Sequence, residues 1–207
     1  MNKKIKILLV EDDLDWLQMI TEFLNHEHDI QVIGKATTHE AALELVSNTE
    51  FDVVLLDINL TENQLDGIYT AVEISESNPE AKIIMLTSLN DEEIIKKAFT
   101  AGAINYVAKP DFHQLPHVIR FAFSHSHPME VFKEEFHRLK REEQLQKLTP
   151  AEKEVFQHIE KGMTQTEIGR KLYKSESTLK NQVNKILKKL GVKSSKEAVK
   201  KVKRKGL

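Results

Sequence analysis

The sequence predicts two domains of different class: a doubly wound α/β sheet over residues 1–125 and a small all-α domain over 148–207, joined by a linker helix over 126–147. Three observations carry this. In the first part, short continuous apolar runs alternate with stretches of helical periodicity, the pattern of parallel strands buried on both faces. The last part has helix caps and apolar helix faces but no strand pattern. Charge divides along the same line. Residues 148–207 hold 16 Lys+Arg and 6 Asp+Glu, which leaves 14 of the 30 basic and 26 of the 32 acidic residues for the rest. Such asymmetry marks parts with different partners.

Ile5-Lys6-Ile7-Leu8-Leu9-Val10 reads as the first strand and runs into Glu11-Asp12-Asp13. Leu14, Leu17, Ile20 and Leu24 follow at helical spacing. Ile30 to Ile33 is a short strand that Gly34 should end, and Glu40 to Val46 a helix. Val53-Val54-Leu55-Leu56 is an unbroken apolar run that ends in Asp57. After a polar loop, a helix from about Gly67 to Ser77 stops at Asn78-Pro79. Lys82 to Thr87 is a strand ending in a hydroxyl, and Asp91 to Thr100 a helix. Ile104 to Ala108 is the fifth strand, followed by Lys109-Pro110, and Leu115 to Ser124 the fifth helix. Right-handed crossovers leave few topologies for such a chain, and the flavodoxin-like order 2-1-3-4-5 is the natural one.

His125-Ser126-His127-Pro128 reads as a polar break, with a metal role for its histidines the weaker alternative. Met129, Phe132, Phe136 and Leu139 then form a helical stripe, expected to pack on one of the domains; it is too short to assert a coiled coil. Capping-box patterns begin at Thr149, Thr164 and Ser194, each with a glutamate three residues on, where hydroxyl and carboxylate satisfy orphan helix N–H groups. Gly162 and Gly191 fall where helices should stop. Four helices result, and Thr164–Leu172, a turn and Ser175–Leu190 form a helix-turn-helix. In the last of these helices Leu179, Val183 and Ile186 face the core, while Thr178, Lys180, Asn181, Asn184, Lys185 and Lys188 are candidates to touch DNA. Lys180, Asn181 and Asn184 suit base edges, and Lys185, Lys188 and Lys189 suit phosphates.

No apolar run reaches the ~20 residues of a membrane helix, and no signal-peptide pattern is present. The chain has no cysteine, which excludes disulfides, thiolate zinc sites and iron–sulfur clusters. A cytoplasmic protein is expected. In an open α/β sheet the ligand crevice lies beyond the carboxyl ends of the strands. Four strands deliver polar groups there: Asp12 and Asp13, Asp57, Thr87 and Lys109. Clustered carboxylates repel unless a hard cation such as Mg²⁺ relieves them. Lys109 and Thr87 would then hold the oxygens of a phosphoryl group, with Asp57 as the nucleophile that accepts it. Singly, Asp12 or Asp13 is an ordinary helix cap, Thr87 another, and Lys109 a surface lysine; together they are a site.

On these residues the first part resembles the receiver domain of bacterial two-component response regulators. The resemblance rests on Asp12-Asp13, Asp57, Thr87, Tyr106 and Lys109-Pro110. It implies phosphorylation of Asp57 by a histidine kinase, and Mg²⁺ (or Mn²⁺) held by the acidic pair, Asp57 and the backbone carbonyl of Asn59. It further implies a Thr87–Tyr106 switch and a cis bond before Pro110. The last part resembles the helix-turn-helix domain of LuxR-type regulators, through Leu148-Thr149-Pro150-Ala151-Glu152, Gly162-Met163-Thr164, Glu167-Ile168-Gly169 and Ser175-Glu176-Ser177-Thr178-Leu179-Lys180. The whole chain thus resembles the NarL/LuxR class. Double-stranded promoter DNA and a homodimer formed on phosphorylation are the implied partners, with no membrane. It departs in the loop after Asp57, where Thr61-Glu62-Asn63-Gln64 replaces a shorter proline-containing segment, and in Asn181-Gln182 where the class has x-His. An aspartyl-phosphate hydrolase is the competing class, but such enzymes carry an acid/base aspartate where this chain has Asn59, so no turnover enzyme is expected. Leu89, two residues beyond Thr87, is expected to shield a phosphoryl group from water.

Overall fold

The computed structural model describes residues 4–60, 66–88, 91–124 and 126–204, with the backbone alone at 126–130 and 133. The chain divides into two units, Met1–Glu134 and Glu135–Leu207. In the first, strands β1 (Ile5–Val10), β2 (Ile30–Ala36), β3 (Val53–Asp57), β4 (Ile83–Thr87) and β5 (Ala103–Ala108) alternate with helices α1 (Leu14–Asn25), α2 (His39–Asn48), α3 (Asp66–Ser77), α4 (Glu92–Thr100) and α5 (Leu115–Ser124). All neighbouring strands pair in parallel, in the order β2-β1-β3-β4-β5. Every residue of β3 and β4 is buried. That is why these runs show no alternation in sequence: helices cover both faces, so no position has a wet side.

Two boundaries differ from the sequence reading. Gly34 does not end β2. The strand continues to Ala36 through a bulge, with Ile7 facing Val32 and Leu8 facing Gly34. The expected break at 125–128 is helical: α6 (Ser126–Leu145) starts two residues after α5 ends. Pro128 falls in its first turn, where the missing N–H has no partner to lose. Within the described residues, α6 does not bury the whole of its stripe. Phe132 and Leu139 are exposed, while Leu145 joins the core of the helical unit and Arg141 pairs with Glu160 at 2.7 Å.

That unit contains α7 (Pro150–Glu160), α8 (Gln165–Lys171), α9 (Glu176–Leu190) and α10 (Ser195–Lys203). Thr149 and Thr164 make complete capping boxes with Glu152 and Glu167. Ser194 makes half of one: its oxygen accepts from the Glu197 N–H, but the Glu197 carboxylate accepts from Lys193. Gly191 ends α9 in the left-handed region, φ +67°. Val155, Phe156, Ile168, Leu179, Val183 and Ile186 form the core. Each such side chain contributes roughly 1.5–3 kcal/mol by leaving water.

Candidate functional site

Strand register sets the site. Val10 pairs with Leu56 and Asp57 with Leu86, while Thr87 pairs with Ala108. Glu11, Asp57, Thr87 and Lys109 therefore emerge at one edge of the sheet, and all four are buried. The Lys109 ammonium donates to Asp57 Oδ2 at 2.9 Å and lies 2.8 Å from both oxygens of Glu11. Asp57 Oδ1 is buried with no hydrogen-bond partner. A buried carboxylate oxygen left unpaired costs free energy, so it is a place prepared for something electrophilic or cationic.

Burial pushes the Glu11 carboxyl up to about 7, with the nearby Asp57 charge adding and Lys109 opposing. Burial works against the Lys109 charge, but hydrogen bonds to Asp57 and Glu11 outweigh it and hold the ammonium above the ordinary lysine range. The helix after β3 clamps the same corner. Gly67 N–H donates to Ile58 O at 3.0 Å, and a Cβ on Gly67 would lie 1.9 Å from the Asp57 carbonyl oxygen. Only glycine lets α3 approach the strand end so closely.

The acidic residues are placed differently from the sequence reading. Asp13 is the N-cap of α1, its Oδ1 accepting from the Asp15 and Trp16 N–H groups at 2.9 and 3.1 Å. Glu11 takes its place: Glu11, Asp12 and Asp57 bring carboxylate oxygens within 4.8 Å of one another. The Lys109–Pro110 bond is not cis, and no peptide bond among the described residues is. The trans form is the intrinsically favoured one. It starts the 3₁₀ turn Lys109–Gln114 with proline in its first turn, and the lysine stem reaches Asp57 from there. Asn59 lies two residues past β3, its Oδ1 buried and unpartnered. Tyr106 is half-buried on β5, opposite Met85. All the donors gathered here are hard oxygens, the set that Mg²⁺ takes. Three carboxylates within 4.8 Å of one another, two of them on the lysine, fit such an ion.

In the helical unit, α8 and α9 are joined by a turn in which Tyr173 takes φ +52° and the Lys174 N–H donates to Gly169 O at 2.9 Å. Ser175 caps α9. Leu179, Val183 and Ile186 are buried, and Thr178, Lys180, Asn181, Asn184, Lys185 and Lys188 are exposed on the outer side. Lys189, expected at a phosphate, instead pairs with Glu152 of α7 and holds that carboxyl below its usual range.

Residues 7–120 match the response regulator receiver domain family, and residues 146–202 match the bacterial regulatory proteins of the luxR family. The chain is a LuxR-type response regulator. YxjL of Bacillus subtilis, described as an uncharacterized transcriptional regulatory protein, is 30% identical over 96% of this chain and 95% of its own length. The transcriptional regulatory protein DegU of Brevibacillus brevis is 28% identical over 95% of this chain and 92% of its own. A LuxR-family response regulator from Aurantimonas sp. superposes with a TM-score of 0.56 at 25% identity, covering 59% of this chain and 86% of that one. RcsB of Salmonella typhimurium shares the fold over 97% of this chain and 98% of its own, with a TM-score of 0.53 at 24% identity.

In this response regulator the residue that sequence reasoning missed is Glu11. The signal was available only through register, since three carboxylates in a row look equivalent until Val10 is set against Leu56. Leu89 and the segment Thr61–Gln64 lie outside the described residues, as do the side chain of His127 and the whole of His125. No described helix of the regulator is long and apolar enough to cross a membrane.

Proposed function

We propose that Asp57 accepts a phosphoryl group from a histidine kinase and that its occupancy switches DNA binding by α9, with transcription as the output. The observation that carries this reading is Asp57 itself. It is buried at the sheet edge, with one oxygen tied to Lys109 and the other unpartnered. Oδ1 is the atom free to attack phosphorus. The P–N bond of a ring-protonated phosphohistidine breaks as the O–P bond forms, and the imidazole leaves neutral, keeping the proton its other nitrogen already held. Lys109, released from part of its carboxylate pairing, follows the new anionic oxygens. Thr87, at the end of the adjacent strand, supplies a hydroxyl to the same oxygens, and Tyr106 repacks behind it as the bistable element. Mg²⁺ (or Mn²⁺) would be held by Glu11, Asp12 and Asp57 with the Asn59 carbonyl, and supplies charge neutralisation for the phosphoryl oxygens. Asp13 is left out of that set because it is not among the gathered carboxylates and its Oδ1 caps α1.

The site is an acceptor rather than a turnover centre. Asn59 stands where hydrolysis would want a second acid/base carboxylate, and an amide neither gives up nor takes a proton readily near neutral pH. Repacking at β5 favours a homodimer, which doubles the DNA contacts of one helix-turn-helix. Such a regulator works in the cytoplasm, beside the DNA. The test is labelling by acetyl phosphate with Mg²⁺, followed by footprinting of the labelled protein. Wild type should take one phosphate and gain DNA affinity, and Asp57→Asn neither. Labelling that survives the substitution would place the acceptor elsewhere.

A further inference from the structure

The proposed phosphoacceptor site leaves one contact unused. Trp16, on the first turn of α1, lies under the Lys109 ammonium with Nζ 5.2 Å from the ring centroid. The indole is itself fixed. Phe112, in the turn that Lys109 begins, meets it edge-on with centroids 5.9 Å apart at 88°. Phe23, two turns along α1, meets Phe112 at 5.1 Å and 77°. The cap on Asp13 anchors the Trp16 N–H as well. The lysine thus has carboxylates on one side and an aromatic face on the other. Phe112 belongs to the lysine's own turn and Phe23 to α1.

We infer that Trp16 is a positioning residue for Lys109: its indole face holds the ammonium between Glu11 and Asp57 and excludes water from that side. An ammonium on a long flexible stem has many rotamers, and fixing it costs side-chain entropy. The electrostatic attraction of the ring face offsets part of that cost and is largest when the cation is partly desolvated. Leucine at position 16 would keep an apolar contact but lose the negative ring face. Phenylalanine would keep the face. The effect on phosphorylation rests on the function proposed above; the contact itself does not.

The experiment therefore has two arms, both on the full chain. Trp16 is the single tryptophan, so its emission has one source. In the first arm the emission of wild type is compared with that of Lys109→Met. Removing a cation from the ring face should change intensity or wavelength, and unchanged emission overturns the inference. In the second, acetyl phosphate labelling rates are measured at saturating Mg²⁺ for wild type, Trp16→Phe and Trp16→Leu, below the unfolding temperature of each. Trp16→Leu should fall roughly 3- to 30-fold and Trp16→Phe should stay within about 3-fold of wild type. A Trp16→Leu rate equal to wild type overturns the inference. So does a Trp16→Phe rate as low as that of Trp16→Leu, because that pattern means packing rather than the ring face. Should wild type itself take no phosphate, the acceptor reading fails and the emission arm alone decides this one.

Discussion

Gly67→Ala should damage both the stability of the receiver unit and the geometry of its site. The added Cβ would lie 1.9 Å from the Asp57 carbonyl oxygen and 2.8 Å from both the Asp57 carbonyl carbon and Ile58 Cα. All three are backbone atoms, so no rotamer change relieves the clash. Ordinary contact needs well over 3 Å, and α3 must therefore withdraw from β3 by about 1 Å or more. Overpacking of this kind costs roughly 1–3 kcal/mol. Stretching or losing the Gly67–Ile58 hydrogen bond, 3.0 Å long, adds about 1 kcal/mol. The better helix propensity of alanine returns at most about 1 kcal/mol. With the full propensity gain returned, the net is a loss of about 1–3 kcal/mol. Trp16 belongs to the receiver unit and is the only tryptophan, so urea unfolding followed by its emission reports that unit alone. Because the oxygen struck belongs to the peptide of Asp57, the carboxylate must turn as well, and acetyl phosphate labelling should slow. An unfolding free energy within about 0.5 kcal/mol of wild type, the ordinary range for a neutral substitution, would refute the close approach of α3 to the strand end.

The remaining predictions test the other parts of the structure. Mg²⁺ should raise the Tm of the receiver unit by mass action, contributing about 1.4 kcal/mol at ten times its Kd. A melting curve indifferent to millimolar Mg²⁺ would remove the ion from the acidic cluster. Arg120 holds the Asp29 carboxyl down to about 2, against 3.8 unfolded. A depressed carboxylate stabilises above its unfolded pKa, so this stability is present above pH ~4 and drains away as pH falls through ~2. Both side chains are partly exposed, which leaves roughly 1 kcal/mol after screening, and acid titration of Arg120→Ala should lack that step. Lys188→Ala should flatten the salt dependence of DNA binding by about one unit of slope. Lys189→Met should leave the slope alone and lower the melting temperature of the helical unit, since its partner is Glu152. Asn184→Ala should cost about 1–3 kcal/mol at one base pair of the operator, and equal loss on every single-base variant would remove Asn184 from the reading face.

What the sequence made legible was local. Val53–Leu56 announced a strand buried on both faces because burial abolishes alternation, and Thr149-x-x-Glu152 announced a helix start because a cap needs only three residues to form. The side chains that make the site, by contrast, find partners far along the chain. Lys109 reaches Asp57 across 52 positions and Glu11 across 98, and Lys189 reaches Glu152 across 37. For such residues the sequence shows the chemistry available but not the pairing. Three successive carboxylates after β1 illustrate the difference. One residue of register separates Glu11, buried on the lysine, from Asp12, exposed beside the cluster, and a second separates that from Asp13, turned back to cap α1. The spacing of apolar residues cannot resolve which is which, because all three follow the last apolar residue of the strand. Parallel pairing can: with Val10 against Leu56, the next residue on each strand is the acid that must face its partner. The same reasoning explains Trp16. It stands three residues after the Asp13 cap, but its role depends on a turn that arrives from the far end of the sheet. A residue of this kind acts through tertiary contacts alone, and its chemistry becomes visible only once the register of the sheet is known.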